Sequence, residues 1–372
     1  MNKDYFPEYG NWIRKNPATL NMEEKQVKEA IRFAKSHENK LSINNMQMFT
    51  RTASETKEPH DEVLGPVKER GEMSGLIIKD GYIVAEWGDI NRVDMTFSVT
   101  KTYLSTTVGL AYDRGLISDL NDYVYKYTAN PEEHFGNEHN KKITWDHLLR
   151  QTSEWQGVLW DKPDWADRPP ENMSFDQLDK QEYMNPGTKY KYNDVRVNLL
   201  ALLATNLWRN PLPKILKENI MDPIGASNTW RWHGYKNSWI VLDGQNVQSV
   251  SGGGHWGGGM FINALDHARF GYLFLRNGKW NENKIISKEW INMASSPSNI
   301  NKSYGFMNWF LNSNEEGTGK KILSAPANAV YFSGLGSNII YVDWQNNLVV
   351  VVRWIDSDYL SGFIDLIIKS IK

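Results

Sequence analysis

A serine followed three residues later by a lysine lies in Met95-Thr96-Phe97-Ser98-Val99-Thr100-Lys101-Thr102-Tyr103-Leu104-Ser105, where a helical pattern begins. Leu104, Val108, Leu110 and Ala111 give that helix a mostly apolar face, and Gly115 supplies its stop. Residues at i and i+3 share a helix face, so the Lys101 amine can reach the Ser98 hydroxyl. A serine in the first helical turn also has unpaired backbone N–H groups and the positive end of the helix dipole beside it. A base next to a hydroxyl, with donors for a developing oxyanion, is what an acyl-transfer nucleophile requires. The same spacing also describes a plain helix cap, so the assignment depends on partners elsewhere in the chain.

Two further stretches supply partners. Pro186-Gly187-Thr188-Lys189-Tyr190-Lys191-Tyr192-Asn193-Asp194 sets Tyr190 and Tyr192 among lysines on a loop. A tyrosine beside an ammonium can relay protons. Tyr331-Phe332-Ser333-Gly334-Leu335-Gly336-Ser337-Asn338 precedes a strand. A strand lying along a substrate carbonyl can supply a second oxyanion N–H, and glycine permits the close approach. Gly334 and Leu335 are the candidate donors there. His255 and Trp256, flanked by glycines, are candidates for the border of a cleft. The run Gly252–Gly257 fits G-x-G-x-x-G formally but follows no βαβ pattern, which argues against a dinucleotide site. His134 and His139, with Glu132, Glu133 and Glu138, lack helical i, i+4 spacing and read as solvated surface rather than a metal site.

The elements that must position these residues are legible in outline. Gly75–Lys79 and Tyr82–Trp87 flank Asp80-Gly81, a type I′ turn dipeptide, and predict a hairpin. A second hairpin is predicted from Asn338–Asp343 and Leu348–Trp354. Helices are predicted from Asn21, at Thr144–Arg150, Asp176–Tyr183, Val195–Asn206, Lys214–Met221, Asn263–Arg276, Lys288–Ala294 and Tyr359–Ile371. Strands at both ends and helices between them give an α+β class. An antiparallel sheet drawn from both termini is flanked by helices, with a mainly helical region inserted. The expected divisions are residues 1–100 and 247–372 for the sheet-bearing part and 101–246 for the insertion, which starts at the Ser98 helix. That junction is where clefts form.

Composition narrows the function. The 372 residues are 40% hydrophobic and 23% charged with a formal net charge of −2, typical of a globular protein. No basic face argues for nucleic acid and no polybasic patch for a membrane. The absence of cysteine excludes disulfides, thiolate metal sites and a cysteine nucleophile. The polar N-terminus does not resemble a signal peptide and no apolar run reaches about 18 residues, so a cytoplasmic protein without a membrane span is expected.

Taken in order, these motifs resemble the serine β-lactamase and penicillin-recognising superfamily, on the side of class C β-lactamases, related esterases and 6-aminohexanoate-dimer hydrolases. Phe97-Ser98-Val99-Thr100-Lys101 matches its first motif. Ile143-Thr144-Trp145-Asp146-His147-Leu148-Leu149-Arg150-Gln151-Thr152-Ser153 is similar to its T-x-x-x-L-L-x-x-T-S-G stretch. Pro186 to Tyr192 resembles the approach to its Tyr-x-Asn motif, and Gly258-Gly259-Met260 with Asp266–Gly271 its later glycine and D-x-A-R-F-G pattern. The resemblance spans roughly residues 70–370 and implies a β-lactamase/transpeptidase-like fold. Ser98 would be acylated, with Lys101 and Tyr192 sharing the proton transfers. The Ser98 and Gly334–Leu335 backbones would hold the oxyanion, with no metal or organic cofactor. The partner implied is a small-molecule substrate, with the oligomeric state left open.

Two departures bear on that substrate. Tyr192-Asn193-Asp194 puts Asp194 where the family carries asparagine, and Phe332-Ser333-Gly334 replaces Lys-Thr-Gly. The missing cation points away from a β-lactam or peptide carboxylate, and an aromatic at Phe332 suits a neutral or apolar substrate. An ester or short amide is therefore the leading expectation. A β-lactamase or D-alanyl-D-alanine carboxypeptidase is the alternative within the class, and a catalytically silent binding or sensor protein the alternative outside it.

Overall fold

A computed structural model describes residues 4–40, 60, 64–66, 68–165, 182–253, 258–310, 313–319, 322 and 324–372. In chain order the elements used below are α1 (Glu24–Ser36), β1 (Ser74–Lys79), β2 (Tyr82–Trp87), β3 (Asp94–Met95), α2 (Thr100–Asp113), α3 (Asp194–Trp208), β4 (Arg231–Leu242) and β5 (Gln245–Val250). There follow β6 (Gly259–Ile262), α4 (Ala264–Leu275), β7 (Trp309–Phe310), β8 (Val330–Gly334), β9 (Asn338–Asp343), β10 (Leu348–Arg353) and α5 (Leu360–Lys369).

The larger sheet has six strands in the order β7-β8-β9-β10-β1-β2, antiparallel throughout. The first predicted hairpin forms as read: Asp80 and Gly81 both take positive φ, 52° and 89°, as a type I′ turn requires. The last strand, Leu348-Val349-Val350-Val351-Val352-Arg353, is buried along its whole length. Its alternate side chains point to opposite faces, so an uninterrupted apolar run means that both faces are covered. On one face Ile77, Tyr341 and Val350 pack with Val27, Ala30 and Ala34 of α1 and with Phe363, Ile364 and Ile367 of α5. On the other, Leu76, Ile340 and Val351 pack with Phe270 and Leu273 of α4 and Tyr103 of α2. α4 comes close because Gly271 faces the sheet: a Cβ there would lie 2.7 Å from Ile340.

A second sheet of four strands, in the order β3-β6-β4-β5, stands between this sandwich and the helices. Its long hairpin, β4 with β5, falls within and beyond a stretch expected to be mainly helical. The pairing is interrupted by an irregularity between Gly234 and Trp239, and Trp239 and Val241 remain exposed. No regular two-residue alternation marks such a strand in sequence. The Asp176–Tyr183 helix falls largely outside the described residues. The other predicted helices form within a few residues of their expected limits, Thr144–Arg150 with a reciprocal Thr144/His147 cap.

α2 is buried on every side from Thr100 to Ala111, not along one apolar face. Its hydroxyls find partners within and beyond the helix: Thr106 donates to the Thr102 carbonyl at 2.7 Å, Thr107 to Leu104 at 2.7 Å and Thr102 to the Met307 carbonyl at 2.8 Å. The helix therefore crosses the molecule as a rigid central element. Among the described residues no helix is long and apolar enough to cross a membrane.

Phe363 is fully buried beneath the large sheet, edge-on to Trp87 at 5.9 Å. Phe363→Ala is expected to cost about 3–5 kcal/mol in urea unfolding, with KM for any substrate unchanged because α5 lies on the face of the sheet away from α2.

Candidate active site

Ser98 follows a backbone that few side chains adopt. Phe97, a bulky residue, has φ 51°, and a short 3-10 turn over Phe97–Val99 leads into α2. Strain at this position is held by the surroundings: the Thr96 N–H donates to the Met260 carbonyl at 2.9 Å, and the Thr96 hydroxyl meets His267 at 2.7 Å. His267, fully buried, has its pKa pushed well below the ordinary histidine value by burial and then by Arg353. A neutral imidazole offers one donor and one acceptor, which its two neighbours, the Thr96 and Tyr103 hydroxyls, satisfy.

The Ser98 hydroxyl does not cap the helix. Lys101 Nζ donates to Ser98 Oγ at 2.9 Å and to the Gly253 carbonyl at 2.7 Å. Ser98 Oγ in turn lies 3.4 Å from that carbonyl. The third partner of Lys101 is the Asp194 carboxylate, in an ion pair whose side chains are 2% and 5% exposed. Asp194, standing where the family carries asparagine, is the first residue of α3 and turns its charge onto the lysine. Lys101 also lies 4.5 Å from the centroid of the Tyr192 ring. The ammonium is thus enclosed by a hydroxyl, a carbonyl, a carboxylate and an aromatic face.

Tyr192 and Tyr190 join an aromatic group with Tyr304 and Trp309. Tyr192 stacks on Trp309 at 5.9 Å and Tyr190 lies 5.1 Å from Tyr304. Gln151 holds the segment carrying both: its Oε1 accepts from the Asn193 N–H at 2.7 Å, and its carbonyl from Lys191 N–H at 3.0 Å. Its Nε2 donates to the Tyr304 hydroxyl at 2.7 Å, a phenol that burial, foremost, and Tyr192 keep far above its ordinary pKa. One layer deeper, Arg196 pairs with Glu154 at 2.7 Å and Asp164 at 3.1 Å. Burial pushes the Glu154 carboxyl up, but Arg196, with the Met184 N–H and Lys191, outweighs this and leaves it below its ordinary value.

Gly334 ends β8 directly against Ser98. A Cβ built there would sit 2.1 Å from the Thr96 carbonyl and 3.1 Å from Ser98 N. The absence of a side chain is what lets the strand approach, leaving Leu335, 42% exposed, at its open end. Phe332, the aromatic expected to suit a neutral or apolar substrate, is fully buried and packs edge-on against Phe274 at 4.9 Å and Phe270 at 6.0 Å. It shares a face of β8 with Gly334 but lies deeper, enclosed by these two rings of α4. His255 and Trp256 lie outside the described residues. Gly253, Gln151, Tyr304 and Trp309 were not singled out beforehand; a carbonyl acceptor and a distant tyrosine carry no local signal.

A serine and lysine in hydrogen-bond contact, at the head of a buried helix beside the glycine end of a strand, are the arrangement that a serine nucleophile with an adjacent base requires. The chain belongs to the beta-lactamase family, whose sequence profile matches residues 76–354. It is 22% identical over 196 residues to a candidate D-alanyl-D-alanine carboxypeptidase of Escherichia coli O157:H7, a match covering 45% of this chain and 45% of that protein, so it spans less than half of the relative's length. Among solved structures it is similar to a candidate 6-aminohexanoate-dimer hydrolase from Bacillus anthracis, with TM-score 0.58 and 17% identity over 84% of this chain and 85% of that one. A family VIII carboxylesterase gives TM-score 0.55 and 18% identity over 93% and 96%. At these identities the likeness establishes the fold.

Substitutions at two positions test this geometry. Gly334→Ala must move the Thr96 carbonyl, and turnover is expected to fall about 10²–10³-fold, the cost of one oxyanion donor; a loss under about threefold would show that the strand end does not matter. Asp194→Ala leaves the Lys101 ammonium buried without its counter-charge, expected to cost about 3–5 kcal/mol. Asp194→Asn keeps an acceptor and should fall between the two in urea unfolding.

Proposed function

We propose that this protein hydrolyses esters or short amides through an acyl-enzyme on Ser98. The observation that carries the reading is the 2.9 Å contact between Lys101 Nζ and Ser98 Oγ, made where Gly334 abuts the Ser98 amide. In the first step the Lys101 ammonium hands a proton to the Asp194 carboxylate it is paired with, Ser98 Oγ bonds to the acyl carbon, and the hydroxyl proton passes to the Lys101 amine so formed. The carbonyl oxygen takes up negative charge and is held by the N–H groups of Ser98 and Leu335. Collapse expels the alkoxide or amine, which receives a proton by way of Lys101 and Tyr192. Water then attacks the acyl carbon, gives up a proton to the same pair, and Ser98 leaves with a proton restored.

The substrate ranking rests on charge. The position where the family carries the lysine of Lys-Thr-Gly is Phe332, turned into the core, and Asp194 is engaged with Lys101. A carboxylate-bearing β-lactam or peptide terminus would meet no cation from that strand position. The carboxylesterase and the aminohexanoate-dimer hydrolase among the structural relatives support the ester and amide reading. The carboxypeptidase relative keeps peptide cleavage as the second.

A fluorophosphonate probe is expected to label the wild-type protein and not Ser98→Ala, with turnover of p-nitrophenyl butyrate lost by about 10³-fold or more in that variant. Turnover of nitrocefin exceeding that of the ester would reverse the substrate ranking. Neither labelling nor hydrolysis of any ester would overturn the enzyme reading.

A further inference from the structure

Ser98 and Leu335 belong to segments more than two hundred residues apart in sequence, and an oxyanion site works only if their N–H groups converge within a fraction of an ångström. Neither segment is rigid by its own nature. The Met95–Ser98 turn contains a strained Phe97, φ 51°. The β8–β9 connection, Leu335-Gly336-Ser337, has positive φ at Gly336 (75°) and Ser337 (56°) and exposes Leu335.

Both segments hang from one buried guanidinium. Arg353, at the end of β10, is 1% exposed. Its Nη2 donates to the Met95 carbonyl at 2.8 Å and its Nη1 to the Ile262 carbonyl of β6 at 2.6 Å. Its Nε donates to Asn338 Oδ1 at 2.7 Å. Asn338, fully buried, then donates from Nδ2 to the Leu335 carbonyl at 2.7 Å. The peptide before Leu335 is held by the Gly334–Asn338 strand pair and the peptide after it by Asn338, so the direction of the Leu335 N–H is determined from both sides.

We propose that Asn338, suspended from Arg353, is a positioning residue that sets the Leu335 half of the oxyanion site against the Ser98 half. This rests on the hydrolase reading above. Burying a guanidinium to join two sheets costs more than joining them with apolar side chains. What the guanidinium adds is a planar fork with donors in fixed, diverging directions, able to hold carbonyls of different strands at set distances. The local bond from Asn338 to Leu335 extends that fork to the exposed turn.

The test compares a p-nitrophenyl oxoester with its thionoester twin. Sulfur is larger and a weaker acceptor than oxygen, so an enzyme with well-placed oxyanion donors favours the oxoester. In Asn338→Ala, kcat for the oxoester is expected to fall about 10–100-fold with KM within about threefold. The thionoester should change by less than about threefold, so the oxo/thiono ratio collapses. Asn338→Asp, which keeps the acceptor for Arg353 and the shape but loses the donation to Leu335, should give the same collapse and serves if the alanine variant does not fold by circular dichroism. Parallel losses on both esters would mean that Asn338 is merely structural and overturn the proposal, as would an unchanged ratio. An inactive wild-type protein would overturn this and the hydrolase reading together; an active one with parallel losses overturns this alone.

Discussion

A lysine ammonium enclosed in protein cannot be left without acceptors, and that requirement organises the centre of this molecule. Lys101 is buried on a helix whose every face is covered. Its hydrogens are taken by the Ser98 hydroxyl and the Gly253 carbonyl, and its charge by Asp194. Those groups come from the start of α2, the chain leaving β5 and the first turn of α3. Satisfying one cation therefore draws three distant segments to a single point, and Ser98 is among them.

The same rule recurs outward from the site. Arg196 is met by Glu154 and Asp164, and Arg353 by two carbonyls and Asn338. Each buried cation bridges segments that apolar packing alone would leave free to slide, since hydrophobic contact has no preferred direction. The apolar sandwich of α1, α5, α4 and the six-stranded sheet supplies the stability, and the charged and hydrogen-bonded groups between the sheets supply the register. A reacting carbonyl needs the second at least as much as the first.

Much of the architecture was open to reading because it is written in local chemistry. Asp80-Gly81 between two apolar runs specifies its turn through two positive φ values. The Thr144 and Asn263 caps mark helix starts through hydrogen bonds to nearby N–H groups. The hairpin of β4 and β5 escaped notice because its pairing breaks between Gly234 and Trp239 and its outer face carries Trp239 and Val241 in solvent. Phe332 shares a face of β8 with Gly334 yet is buried, because Phe270 and Phe274 of α4 pack on its ring; that contact comes from a helix distant in sequence and leaves no local mark.

At the site, the sequence by itself determined the types of residue and their local spacing: Ser98 three before Lys101 on one helix, tyrosines before α3, and a glycine where β8 ends. These follow from helical geometry and from glycine's lack of a side chain, which act over a few residues. The tertiary structure decided which of them meet. Tyr192, rather than Tyr190, presents its ring to Lys101. Asp194 turns to the lysine, and Asn338 ties the exposed Leu335 turn to Arg353. Such choices arise from desolvation, which has no value until the chain is closed: a charge in water needs no particular partner, and the same charge in the interior must have one.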